Sequence, residues 1–206
     1  DGNNNTAVGS GALLTNNSGY SNVAIGINAL YKNENQSNLV AIGDSALYSN
    51  RYGAYNVAVG SKALYKNYDG VLNTSMGYES MYSNNSGESN SSFGVKNLYS
   101  NTSGGFNTSM GNNGMYSNTT GSENTSMGCW SLFSNESGKK NVALGLGAMY
   151  SNTSGSNNTV IGYDAMANSF SISKTVAVGD SALFSNTAGY YNTALGSKTL
   201  FLNQYG

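Results

Sequence analysis

Apolar residues fall at fixed places in every 17 positions of this chain, and the polar residues between them keep places just as fixed. Glycine marks the period: Gly9, Gly26, Gly43, Gly60, Gly77, Gly94, Gly111, Gly128, Gly145, Gly162, Gly179 and Gly196. The residue before each of these is a sizeable apolar one, from Val8 and Ile25 through Met76 and Phe93 to Leu195. Four residues after it stands Leu or Met in all twelve copies, Leu13 to Leu200. The next position is Tyr or Phe in ten, the exceptions being Leu14 and Ala167. Asparagine follows two positions later in eleven copies (Asn16, Asn33, Asn50 and onward). A second glycine (Gly19, Gly53, Gly70) and a second asparagine (Asn5, Asn22, Asn56) each occur in ten. Twelve units of 17 residues cover 204 of the 206 positions without insertion or deletion. A strict short period belongs to a stacked repeat, in which each unit buries its apolar face on the next.

A unit this short holds two strands and two turns; a helical pair needs about 34 residues. The run Asn22-Val23-Ala24-Ile25-Gly26 is β-branched and bounded by Asn and Gly, which predicts a strand. Ala29-Leu30-Tyr31 predicts a second, shorter one. The Asn-x-x-Gly-x-x-Asn stretch predicts a turn with its glycine at positive φ. Proline is absent, as a stack that uses nearly every backbone N–H requires. The expected fold is therefore all-β: a parallel β-solenoid of twelve 17-residue coils, two short strands per coil, in one domain over 1–206. At about 4.8 Å per coil the rod is about 55–60 Å long.

Stacking turns each position into a ladder of like residues. Asparagine can bond its own copy above and below, whereas a column of Asp would repel itself. Strand alternation puts Val8 and Thr6 on one side and Ala7 and Gly9 on the other. The expectation drawn from it is that the Val8 and Leu13 columns face inward. The small residues Ala7, Ala24, Ala41 and Ala58 then form an outer self-association face, and Ala29 points out with Tyr31. Three apolar side chains per coil make a thin core, which also predicts that an outer face is covered. In repeats five to eight three columns change together: Ser75, Ser92, Ser109 and Ser126; Ser80, Asn97, Gly114 and Ser131; Met76, Phe93, Met110 and Met127. Their joint change predicts mutual contact and a more polar axis. The turns at 34–39 and 168–174, where Gln36 and Ile172 replace glycine, keep their length and predict distorted turns without a domain boundary.

Composition narrows the function. Net charge is −1, only 9% of residues are charged, and no basic stripe exists, so nucleic acid is not an expected partner. No apolar run reaches membrane-spanning length. A chain beginning at Asp1 without leader or Met is expected to be a mature product or a fragment. The single cysteine, Cys129, allows no intrachain disulfide. With no histidine and scattered carboxylates (Asp44 with Asp180 and Glu79 with Asp164 share columns many coils apart), catalytic, metal and cofactor chemistry are all unexpected. The candidate binding surface is the aromatic ladder Tyr31, Tyr48, Tyr65, Tyr82, Tyr99 and Tyr116, which suits either packing or stacking on sugars. Thirteen Asn-x-Ser/Thr triplets occur. Asn73, Asn84, Asn101, Asn118, Asn135 and Asn152 are among the possible N-glycosylation positions, although turn chemistry alone generates the pattern.

The segments Asn22-Val23-Ala24-Ile25-Gly26 and Asn56-Val57-Ala58-Val59-Gly60, each followed two residues later by the Ala29 and Ala63 positions' run, resemble the head repeat of YadA-like trimeric autotransporter adhesins. The longer unit G-x-x-A-L-Y-x-N-x-x-G-x-x-N-[TV]-A-[VI]-G is also similar to repeats of phage tail fibres. The unit here is longer, with additional residues at the Asn-x-x-Gly turn. The resemblance implies a left-handed β-roll, a homotrimer, and service as a stalk or adhesive head. The expected function is a non-enzymatic extracellular fibre or adhesin segment, on a cell surface, in a secreted fibre or on a virion, that associates with itself and meets glycans or other surface polymers. The alternatives are a filament subunit polymerising end to end, and an ice- or glycan-array binder.

Overall fold

The computed structural model describes residues 2–187 and 189–203, so Asp1 and Gly206 lie outside the described residues. Strand follows strand at the predicted interval: β1 (Thr6–Val8), β2 (Val23–Ile25), β3 (Val40–Ile42), β4 (Val57–Val59), β5 (Thr74–Met76), β6 (Ser91–Phe93), β7 (Thr108–Met110), β8 (Thr125–Met127), β9 (Val142–Leu144), β10 (Thr159–Ile161), β11 (Val176–Val178), β12 (Ser185–Asn186), β13 (Thr193–Leu195) and β14 (Leu202–Asn203). All but β12 and β14 form one parallel sheet in chain order, β1 through β11 and then β13. The register offset is 17 residues throughout, as in Ala24↔Ala41 and Ser109↔Ser126. The chain is a parallel β-solenoid, and no helix occurs among the described residues.

The second segment of each coil also bonds coil to coil. Leu64 N donates to Ser80 O at 3.0 Å and Lys66 N to Tyr82 O at 3.0 Å; near the C-terminus β12 pairs with β14 in the same manner. This segment turns sharply at its Leu or Met, which has positive φ in every coil: 52° at Leu30, 50° at Leu47, 51° at Leu64. An L-residue there costs about 1–2 kcal/mol, offset by burial of the side chain, which is complete from Leu30 to Leu183. The sharp turn breaks strict alternation, so Ala29 and Leu30 both face inward. That corrects the expected outward Ala29.

The first strand alternates as predicted, but in the opposite phase. Ala24, Ala41 and Ala58 are fully buried, while Ile25, Ile42, Met76, Met110 and Ile161 stand exposed on the outer sheet face. The proposed association face of Ala7, Ala24, Ala41 and Ala58 is thus the inner wall; only in the first coil does Ala7 remain open. The reason is width. Most coils already hold a Leu or Met and two asparagines inside, and the facing strand accordingly carries Ala or Ser, with Val160 the largest side chain in that column. Of the three columns that change together in coils five to eight, two meet in this interior. Ser75 Oγ donates to Ser80 O at 2.9 Å, Ser80 and Ser92 hydroxyls bond at 2.8 Å, and Ser109 Oγ donates to Asn97 Oδ1 at 2.9 Å. The third column, Met76 to Met127, lies on the far side of the sheet and touches neither; nothing in the structure explains its covariation.

The inner wall gives a direct check. Ala58→Leu should overpack the coil and lower unfolding free energy by about 1–3 kcal/mol, whereas Val57→Thr, on the outer face, should change it by less than about 0.5 kcal/mol. Denaturant titration followed by circular dichroism reads both.

Candidate functional site

Two asparagine ladders run along the interior, interrupted at two coils, and meet at one carbonyl in each coil that keeps both. In the first, Asn67 Nδ2 donates to Asn50 Oδ1 at 2.8 Å, Asn84 to Asn67 at 2.7 Å, Asn101 to Asn84 at 2.7 Å, Asn118 to Asn101 at 2.8 Å, and Asn135 to Asn118 at 2.7 Å. In the second, the backbone N of Asn73 donates to Asn56 Oδ1 at 2.9 Å and that of Asn90 to Asn73 Oδ1 at 3.0 Å. Both ladders converge on the turn glycine. Gly70 O accepts from Asn56 Nδ2 at 2.7 Å and from Asn67 Nδ2 at 2.9 Å. This explains the second glycine of the repeat differently from the sequence reading. It has no positive φ; a Cβ on Gly70 would come within 2.5 Å of Asn67 Oδ1 and within 2.7 Å of Asn84 Nδ2. The period-marking glycine does need its conformation, with φ of 131° at Gly60 and 136° at Gly77.

The two turns without glycine show what the ladders require. At Gln36 the carbonyl still accepts from Asn22 and Asn33, but Asn33 Oδ1 is buried with no hydrogen-bond partner, and Leu39 replaces the next asparagine of the second ladder. At Ile172, Ser169 and Thr175 take the places of both asparagines, and Asn152 Oδ1 is left without a partner. The strands run through in register on both sides, so the sheet is continuous where the ladders are interrupted.

The possible glycosylation positions belong to these ladders. Asn73, Asn84, Asn101, Asn118, Asn135 and Asn152 are at most 1% exposed, and their Nδ2 groups donate inside the coil. A glycan on any of them would cost a buried hydrogen bond and needs space the folded rod does not have.

Tyr31, Tyr48, Tyr65, Tyr82, Tyr99 and Tyr116 do form one ladder, continued by Phe133 and Tyr150. Successive ring centroids lie 5.0–5.3 Å apart with interplanar angles of 2–13°. Each ring between the ends of the stack turns its faces to its neighbours, and the rings from Tyr31 to Phe133 are half-buried. Of the two roles that suit the column, the geometry is that of packing; stacking on a sugar needs a free ring face. Lys32 and Lys66 extend over Tyr48 and Tyr82, 5.3 and 5.1 Å from their centroids. Charges pair coil to coil across one period: Arg51 with Glu34 at 2.6 Å, Lys96 with Glu79 at 3.6 Å, Lys140 with Glu123 at 3.8 Å. No group of three or more His, Cys, Asp or Glu converges as a metal site among the described residues. No helix among them is long and apolar enough to cross a membrane. Comparison with family models, curated proteins and solved structures finds no match to this chain.

Residue patterning did not single out the outer sheet face. There two columns lie side by side: Val23, Val40 and Val57 with their Thr and Ser counterparts, and the Ile25-to-Leu195 column. Neither holds a charged residue in any of twelve strands. The signal was present in the invariant apolar residue before each glycine; reading it as core hid it.

Stacking also shifts titration. The phenols of Tyr65 and Tyr99 ionise above their ordinary range, first through desolvation, then through neighbouring groups: Tyr82 and Tyr48 for the former, Glu79 and Tyr116 for the latter. The folded rod holds these protons more tightly than the unfolded chain. Their contribution to stability is therefore intact below pH about 10 and is lost as pH rises through the raised folded value. Ultraviolet phenolate titration beside thermal melting should show late ionisation and a melting temperature that falls only in that alkaline window.

Proposed function

We propose that this chain is a non-enzymatic fibre segment, a rigid rod that associates side by side with copies of itself and acts as the shaft or head of an extracellular adhesive or tail fibre. The observation that carries this reading is the outer sheet face, continuous and uncharged over twelve strands, with one column apolar throughout beside a mixed column of Val, Thr and Ser. Exposed apolar patches of more than a few hundred Å² mark contact surfaces. Twelve strands at ~4.8 Å and three residues at ~3.3 Å make a face of roughly 50 by 10 Å, so pairing two copies removes about 1,000 Å² from water, the lower bound for a specific interface.

A second copy suits this face better than an unrelated partner. It carries the same coil spacing, so the apolar Ile25-type column can meet its own copy along the whole rod, and no charge is present to select a different protein. The sequence resemblance to trimeric adhesin heads supports three parallel copies, now joined through the Ile25-type column in place of the alanines. The absence of histidine and the coil-to-coil pairing of carboxylates with cations support a structural, non-catalytic role. In this reading a glycan or surface polymer is met by side chains outside the stacked ring faces.

Analytical ultracentrifugation of the rod tests the proposal. Discrete dimers or trimers are expected. The double substitution Ile42→Lys with Met76→Lys should shift them to monomer while the circular dichroism spectrum stays unchanged, since both side chains are exposed. A wild-type rod that remains monomeric at the highest soluble concentration contradicts the reading.

A further inference from the structure

The aromatic ladder has a gap. Tyr150 is its last ring before Ala167, and Phe184 resumes it, stacked on Phe201 at 5.0 Å. One coil is thus missing its ring, and with steps of about 5 Å the rings of Tyr150 and Phe184 are separated by about 10 Å. A single flat ring inserted there sits about 5 Å from both, inside the favoured range for aromatic pairs. A second omission lies beside the first. Gly147 has no side chain where the neighbouring coils carry Trp130 and Asp164. The Asp164 carboxylate occupies the space over Gly147, where a Cβ would collide with its Oδ1, and the missing ring at Ala167 leaves a notch of about 490 Å³ lined by Trp130, Tyr150, Tyr163, Asp164, Ala167 and Phe184, among others, a volume typical of small-molecule sites. It is the one interruption within an otherwise continuous run of stacked rings, and it exposes two ring faces that every other coil in that run covers.

The notch also has a charge. Asp164 lines it, and its carboxylate makes no hydrogen bond or ion pair among the described residues. The Asn168 amide is engaged with Ser185 Oγ at 3.2 Å. Two aromatic faces with one free carboxylate at the side select a flat ring that carries a cation.

We propose that this notch is a binding site for small aromatic amines, the ring sandwiched between Tyr150 and Phe184 and the ammonium group paired with Asp164. Trp130, the only tryptophan of the chain, lies in the notch wall and reports occupancy. The site is independent of the self-association face, so neither proposal depends on the other.

The test is titration of the purified rod with tyramine, with Trp130 fluorescence excited selectively and calorimetry in parallel. A saturable, one-to-one change is expected with a dissociation constant of about 1 mM. Ala167→Tyr completes the ring stack as in the other coils and should abolish the change while the circular dichroism spectrum is retained. If that variant misfolds, Ala167→Leu fills the same slot with the side chain that Leu14 carries in this column and should block binding equally. Asp164→Asn should weaken tyramine about threefold, as expected for an exposed ion pair, and leave the uncharged p-cresol unaffected. Tyramine binding that is undiminished in Ala167→Tyr and Ala167→Leu, or no saturable change up to tens of millimolar, overturns the site. Equal affinity in Asp164→Asn overturns its assignment to amines.

Discussion

One carbonyl group per coil, the turn glycine's, organises this rod. It accepts from two asparagines at once, one from each ladder, and each asparagine is also bonded to its copy in a neighbouring coil. An amide is the side chain suited to that position, because it both donates and accepts and so pairs with itself indefinitely along a stack. A buried network of this kind stabilises only when every member is satisfied. The fixed 17-residue length follows from it: an inserted residue in any coil would displace both ladders. So does the glycine, because the two amides occupy the space a Cβ would need. Where Gln36 and Ile172 intrude, one ladder partner is lost within one coil, while the sheet and the remaining asparagine bonds to the Gln36 and Ile172 carbonyls carry the register across.

The period, the parallel stack and the self-bonding of asparagine were legible because they depend only on like residues meeting like residues. What faces inward was not. Alternation fixes that Val23 and Ile25 share a side, yet either phase leaves an apolar interior, so the choice turns on the width of the coil. That width is set by Leu30 and its sharp turn. Leucine gives no sign of positive φ, which glycine or asparagine would have signalled. The role of the turn glycine was hidden for a related reason: sequence shows that a small residue is needed but does not separate a special φ from close approach. The stack of tyrosines follows from the period once coil spacing is known, since rings one coil apart lie within stacking distance whatever their purpose.

With the alanines inside and the ring faces paired, the rod's chemistry is left to its outside. The sheet face is uncharged and regular, with one column apolar in every strand, the property of a surface that meets another of its kind. The aromatic edge is closed within its continuous run except at Ala167. Both features arise where a column either keeps its residue type through twelve coils or drops it once, so in a repeat of this regularity the departures are as informative as the rule.

The claim that buried asparagine ladders hold the coils together is tested most directly by hydrogen exchange of the asparagine side-chain amides, read by nuclear magnetic resonance. The account predicts that the Nδ2 protons of Asn67, Asn84, Asn101, Asn118 and Asn135 exchange at least about 1,000-fold more slowly than exposed amides, through the same global opening that releases the strand backbone. Side-chain amides that exchange at solvent-exposed rates while the strands remain protected would contradict it.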